Sequence, residues 1–305
     1  MKKLLSMLLI IAILLCVGCS KKDDYKLSIV APGGAPGIAL ADMVKNNSEE
    51  YNFEINKTAD VLKTTFASKE ADVIIAPVNL GAAQYKANST YVLASVLTWG
   101  NLYFASQKEN FSINDLNNSD VLLFGSGTIN HVIVEYILKQ KGITITNETA
   151  PLASTKETTA QLISNPNAIC LVAEPSLSTA KSKKANITSI SVQDLYKEVS
   201  GSNSYPQAGC FININTINEH KTVVDDFLKK LEQSCNKCSS DVETIAGYAE
   251  ELELGGTKAV LVNAIPNSNI SYVKASIAKQ DLEKVIAIKP AMFGGANPVE
   301  AFYYE

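Results

Sequence analysis

One local arrangement constrains this chain more than any other, and it occurs twice. In Lys26–Met43, KLSIVAPGGAPGIALADM, the apolar run Leu27–Ala31 has the length and residue types of a buried strand. Pro32-Gly33-Gly34 stops it, and Pro36 suits the first turn of a helix, where a missing N–H costs nothing. Ile38, Leu40, Ala41 and Val44 continue at helical spacing, which predicts a helix start after the turn. The arrangement returns at Val121–Phe124, followed by the Gly125-Ser126-Gly127 turn, Thr128 as N-cap and a helix over Asn130–Gln140 with Val132, Val134, Ile137 and Leu138 as its apolar stripe. A strand, a tight glycine turn and a helix start aim free backbone N–H groups and a helix dipole at one spot beyond the strand's carboxyl end. Open α/β sheets bind ligands at such places.

The intervening segments support the same class. Tyr51–Asn56 alternates like a strand, and Thr58–Lys69 reads as a helix with Val61, Leu62, Thr65 and Phe66 inward. Ala71–Val78 is a buried strand leading to Asn79 as N-cap of a helix over Leu80–Ala87. Tyr91–Ser106 is strand-rich and broken at Trp99-Gly100. Polar Gln107–Asp120 reads as the first crossing between two domains. Beyond the second strand–turn–helix unit come a capping box at Ser154-x-x-Glu157, a strand Ala168–Ala173 ending at Glu174-Pro175, and a short strand at Ile187–Val192. Gln207–Ile214 is an apolar strand that carries the chain back, and the remainder reads as helices, ending in a short one capped by Asn297. Strands alternating with helices predict an α/β fold: two domains, each a mostly parallel sheet flanked by helices, with a ligand cleft between them. The expected division is 26–110 with 211–305 as a discontinuous domain I, and 111–210 as domain II.

The amino end, MKKLLSMLLIIAILLCVGC, reads as a processing segment: two lysines, an apolar core from Leu4 to Val17, and Val17-Gly18-Cys19 at its end. Residues 1–19 are therefore expected to be a lipoprotein signal peptide, with Cys19 the acylated (palmitate-bearing) residue, and 20–25 a polar tether. A short uncleaved anchor is the other reading. Either places the protein at a membrane on its extracytoplasmic face.

Composition then narrows the chemistry. The 305 residues carry a formal net charge of −4, which argues against nucleic acid. The chain contains no arginine, so a bidentate guanidinium clamp on an anion is impossible. An enzyme needs a nucleophile with its base, a metal cluster or a matched acid–base pair. Gly125-Ser126-Gly127 lacks the spacing of a nucleophile elbow, His131 reads as a surface residue, and Gly33-Gly34-x-x-Gly37 is not a dinucleotide fingerprint. Cys235-Asn-Lys-Cys238 lacks further ligands for a metal; Cys170 and Cys210 read as small buried hydrophobes or as a pair on adjacent strands. The expectation is a protein with no enzymatic activity, no cofactor and no metal.

Several features together resemble a known family. They are Ala71-Asp72-Val73-Ile74 with Pro77 and Asn79, Trp99-Gly100 with Leu102-Tyr103, Asp115-Leu116 before Val121, Glu174-Pro175-Ser176, and the Tyr205–Gly209 return. With the lipoprotein signal, the chain resembles the substrate-binding proteins of ABC importers with the periplasmic-binding type 2 fold. Within them it is most similar to the nitrate/sulfonate/taurine family, which includes binders of thiamine pyrimidine precursors. The resemblance implies a monomer that clamps a small molecule between two domains and delivers it to an ABC permease. The residues expected at the ligand are Gly33, Gly34, Ala35, Asn79, Thr98 and Trp99 from the first domain, and Ser126, Gly127, Thr128 and Glu174 from the second. Trp99 with Glu174 leans towards a flat, nitrogen-bearing or vitamin-like ligand. The alternatives are a lipoprotein that senses a ligand and signals to a membrane partner, and an enzyme on the same fold.

Overall fold

The computed structural model describes residues 23–146 and 149–305; the leader and Cys19 lie outside the described residues. The strands are β1 (Ser28–Pro32), β2 (Asn52–Lys57), β3 (Val73–Pro77), β4 (Tyr91–Trp99), β5 (Leu102–Ser106), β6 (Val121–Leu122), β7 (Ile169–Ala173), β8 (Thr188–Ser191), β9 (Pro206–Asn213) and β10 (Ile270–Lys274). They form two sheets flanked by helices: six strands in the order β10-β4-β9-β3-β1-β2, and four in the order β6-β7-β5-β8.

The α/β architecture with two sheets is as expected, but strand direction is more mixed than the βαβ pattern implies. β1 pairs parallel to β2 and β3, and β6 to β7. Everything that meets β9 or β5 is antiparallel. The cause is the crossing itself: β4 runs out of the first sheet, β5 starts the second three residues later, and β9 returns against both β3 and β4. The strands change sheets at Gly100-Asn101, ahead of the polar stretch that reads as the crossing, so Leu102–Ser106 lies with 121–191 rather than with the first sheet. Polarity misplaced this point because both flanking strands are mostly apolar and largely buried.

Gly100 is fixed by packing. Its N–H donates to Tyr205 O (3.0 Å) and a Cβ there would lie 2.4 Å from the Tyr205 ring, which is completely buried. Only glycine lets the outgoing and returning strands touch at this height.

Several local readings change in the folded chain. The helix after Gly34 is two short pieces, Ala35–Ile38 and Ala41–Asn46, with Leu40 capping the second. Val61 faces outward while Leu62 and Phe66 are buried. The helix after β3 begins at Val78, so Asn79 lies within its first turn and is not its N-cap. Strand β10, ISYVK, is five residues long, only partly buried and set after the polar Asn267–Asn269 stretch, so the sequence does not single it out. The carboxyl end forms two 3-10 turns, Pro290–Phe293 and Glu300–Phe302, and Val299 occupies the capping position in place of Asn297. Cys170 on β7 and Cys210 on β9 belong to different sheets; both are free and buried, as are Cys235 and Cys238.

Candidate ligand cavity

A cavity of about 240 Å³ lies where the two sheets face each other. The first sheet contributes the Pro32–Pro36 turn after β1, Pro77 at the end of β3, Thr98 near the end of β4, and Gln207 and Ala208 at the start of β9. These are the carboxyl ends of the parallel strands, and the antiparallel β9 presents its amino end at the same edge. The second sheet contributes Asn101, Phe124, the Thr128–Asn130 helix start, Thr155, and Ala173-Glu174 at the end of β7. Pro32, Ala35, Leu62, Phe124 and Ile129 make the walls apolar, and among the described residues no lysine or histidine lines the cavity.

Of the ten residues expected at a ligand, six line this cavity: Gly33, Gly34, Ala35, Thr98, Thr128 and Glu174. Gly34 holds a left-handed φ of 68°, which makes the sharp turn from β1 into the next helix possible for glycine at no steric cost. Asn79 lies just behind the lining. Its Nδ2 donates to Gly127 O (3.3 Å) and its Oδ1 accepts from Ile129 N (3.2 Å), so it ties the first-sheet side to the second-sheet turn. Ser126 and Gly127 are exposed on that turn and do not line the cavity. Thr128 sits at the N-cap position, but its hydroxyl donates to Gly125 O (2.6 Å) rather than capping the helix.

Trp99 lies elsewhere. Its indole Nε1 donates to Ser271 O on β10 (3.3 Å), and it borders a separate surface cavity with Gln193, Ser204 and Pro266. It is a half-buried packing residue beside the strand crossing, and it does not face the cavity between the sheets. His131 is half-buried rather than a surface residue, its Nε2 has no partner, and burial lowers its pKa.

Among the described residues Glu174 is the one ionisable group of the cavity wall. It is 5% exposed. Its carboxylate accepts from Ser178 N (3.1 Å) and Ser178 Oγ (2.9 Å), which satisfies one N–H in the first turn of the helix Ser176–Lys183, whose N-cap position is held by Pro175. Burial pushes its pKa up; the Ser178 bonds and the more distant Lys181 charge oppose this without cancelling it.

Sequence reasoning missed Asn101, Asn130, Thr155 and Gln207. Gln207 Nε2 donates to Asn130 Oδ1 (3.0 Å), again joining the two sides, and Thr155 Oγ1 accepts from Ala173 N (3.0 Å). Asn101 is 3% exposed, and its Oδ1 has no hydrogen-bond partner among the described residues; neither has Gln207 Oε1. Buried amide oxygens without partners are uncommon and call for an explanation. Their one sequence signal is position, beside the Trp99-Gly100 break and at the start of the returning strand.

A scan of protein-family models and a search of curated proteins return no match. Solved structures do resemble the chain. A protein from Parabacteroides distasonis described as an ABC transporter superposes with a TM-score of 0.78 at 20% identity, over 92% of this chain and 99% of that one. The ligand binding component of an ABC-type import system from Staphylococcus aureus, solved with zinc bound, gives 0.72 at 13% identity, over 92% and 96%. A periplasmic aliphatic sulphonate binding protein from Escherichia coli gives 0.69 at 12% identity, over 92% of each chain. At these identities the likeness is one of architecture, and the architecture is that of the periplasmic binding proteins.

Proposed function

We propose that this protein is an extracytoplasmic solute-binding lipoprotein. It captures a small molecule between its two halves and hands it to an ABC import permease. The halves are the six-stranded sheet with its helices (domain I) and the four-stranded sheet with its helices (domain II). The observation that carries the reading is the cavity between the sheets, lined by both and holding buried polar atoms that the protein itself leaves unpartnered. Such a cavity binds by hinge closure at the strand crossings near Gly100 and Tyr205, as the architecture of the similar structures supports. Lipidation at Cys19 would hold the protein beside its permease, and the chain would act as a monomer.

Sulfonate, the ligand class of one similar structure, suits this cavity poorly. No cationic side chain among the described residues lines it, and the Ile129 N–H at the facing helix start is already bonded to Asn79. Zinc, bound in another, has no evident seat either: the described residues contain no group of three or more His, Cys, Asp or Glu able to hold a metal ion. The ligand is an organic molecule small enough for about 240 Å³.

The test is a thermal-shift screen of the purified protein against vitamins, pyrimidines, amino acids, amines, sulfonates and nitrate. A ligand present at about a hundred times its Kd adds close to 3 kcal/mol and several degrees. A hit that is lost in Thr98→Trp, which fills the cavity, supports capture. A cooperative melt that no compound moves argues against it, in favour of a signalling role through a protein partner.

A further inference from the structure

The next step rests on the capture reading and names the chemistry of the captured molecule. An ionised carboxylate offers about four acceptor positions. Glu174 uses two, both towards Ser178. The nearest lysine by charge effect, Lys181, turns its Nζ to Ser189 Oγ (2.9 Å) instead. Among the described residues Glu174 therefore forms no ion pair, although it is buried. Two more acceptors border the same cavity with nothing to accept, Asn101 Oδ1 and Gln207 Oε1. Glu174 and Asn101 are adjacent in the fold, since Glu174 N donates to Asn101 O (3.2 Å). Within the cavity lining the protein supplies acceptors and negative charge from Glu174, Asn101 and Gln207 beside apolar walls, and Glu174 also borders a second cavity together with Ser178 and Lys181.

We propose that the cavity takes a small organic cation: an apolar body ending in an ammonium or amidinium group whose N–H donors fill the positions left open by Glu174, Asn101 and Gln207. A buried carboxylate is tolerated when it is paired, and here the partner arrives with the ligand. The amide oxygens fix the direction of the cationic end, and a positive charge beside Glu174 offsets the effect of burial on its carboxyl. An anionic ligand would place like charge against Glu174 and find neither a lysine nor a histidine in the lining, nor an arginine anywhere in the chain.

Three probes of one size and shape separate the possibilities: benzamidine, benzamide and benzenesulfonate. Each is titrated by calorimetry into the purified protein and its Glu174→Gln variant, with cooperative melting as the control for folding. The expected result is that benzamidine binds about thirtyfold or more tighter than benzamide, the low end for a desolvated charge pair. Benzenesulfonate gives no heat, and Glu174→Gln removes the benzamidine advantage while leaving benzamide unchanged. Benzenesulfonate binding as tightly as benzamidine overturns the assignment. So does benzamidine affinity that survives Glu174→Gln, or an absence of binding by all three. A second measurement keeps the two readings apart: mass spectrometry of small molecules released by acid from protein isolated from its own cells. A stoichiometric cation supports both; a stoichiometric anion or neutral compound overturns the cation assignment and leaves capture standing; an empty protein counts against both.

Discussion

Two carboxylates of this protein are almost equally buried and differently used. Asp72, 6% exposed, accepts from Ser28 N (2.8 Å), Ser28 Oγ (2.9 Å), Thr216 Oγ1 (2.6 Å) and the Tyr25 hydroxyl (3.0 Å). It ties the amino-terminal strand and the helix after β9 to the start of β3. Glu174, 5% exposed, accepts from a single residue and faces a cavity. Burial costs both groups their hydration. At Asp72 four donors from three residues replace it, whereas at Glu174 the replacement is half complete. A saturated buried charge marks architecture; a half-saturated one beside a void marks a place held for something else.

The largest expected effect tests the first half of that contrast. Asp72→Ala strands the donors of Ser28 and Thr216 and should cost about 3–4 kcal/mol in urea unfolding, the sum of several buried hydrogen bonds. A cost below about 1 kcal/mol would remove the distinction between the two sites. Next in size, Gly100→Ala forces a methyl group against Tyr205 at the crossing. It should cost about 1–3 kcal/mol and weaken any ligand's binding along with it. Asn79→Ala removes the two bonds that join the sides of the cavity and leaves the buried Ile129 N–H unpaired. The expected loss is about 1–2 kcal/mol, appearing for bound ligand mainly as faster release in stopped-flow measurements.

The smallest effect has the opposite sign. Glu174→Gln should stabilise the ligand-free protein at neutral pH by about 0.5–2 kcal/mol, the usual yield of relieving a functional site of its cost. The pH dependence follows from the raised carboxyl. A pKa higher in the folded than in the unfolded state means that its contribution to stability is full at acid pH and is lost as pH rises through the folded value. The charged or titratable neighbours coupled to Glu174 are Lys181, on the helix that follows it, and Tyr103 on β5. The melting temperatures of wild type and Glu174→Gln should therefore converge at low pH and separate as pH rises. Parallel curves would show that Glu174 is as well satisfied as Asp72.

Much of this was legible in the chain because backbone periodicity is local. Leu27–Ala31, Ala71–Val78 and Ala168–Ala173 could be read as strands, and Ser154-x-x-Glu157 as a cap, from neighbours within one turn. Glu174 stood out as a polar residue ending an apolar strand. Asn101 and Gln207 did not, since an amide becomes conspicuous only when the fold denies it a partner. Trp99 misled for the converse reason: a lone aromatic draws attention by its chemistry, while its direction is set by β10, a short, half-exposed strand that the sequence does not single out. Likewise the change of sheets at Gly100-Asn101 depends on Tyr205, a hundred residues away in sequence.

The placement of Trp99 makes the protein self-reporting. It is the sole tryptophan, and its indole spans the outer side of the crossing to hold Ser271 O on β10. Excitation of that indole therefore enters the molecule at one point, beside the strand crossing at Gly100 and off the lining of the cavity between the sheets. A change in its emission when a solute is added reads rotation at the joint rather than stacking on the solute, so transparent and coloured ligands can be compared on one scale without a label.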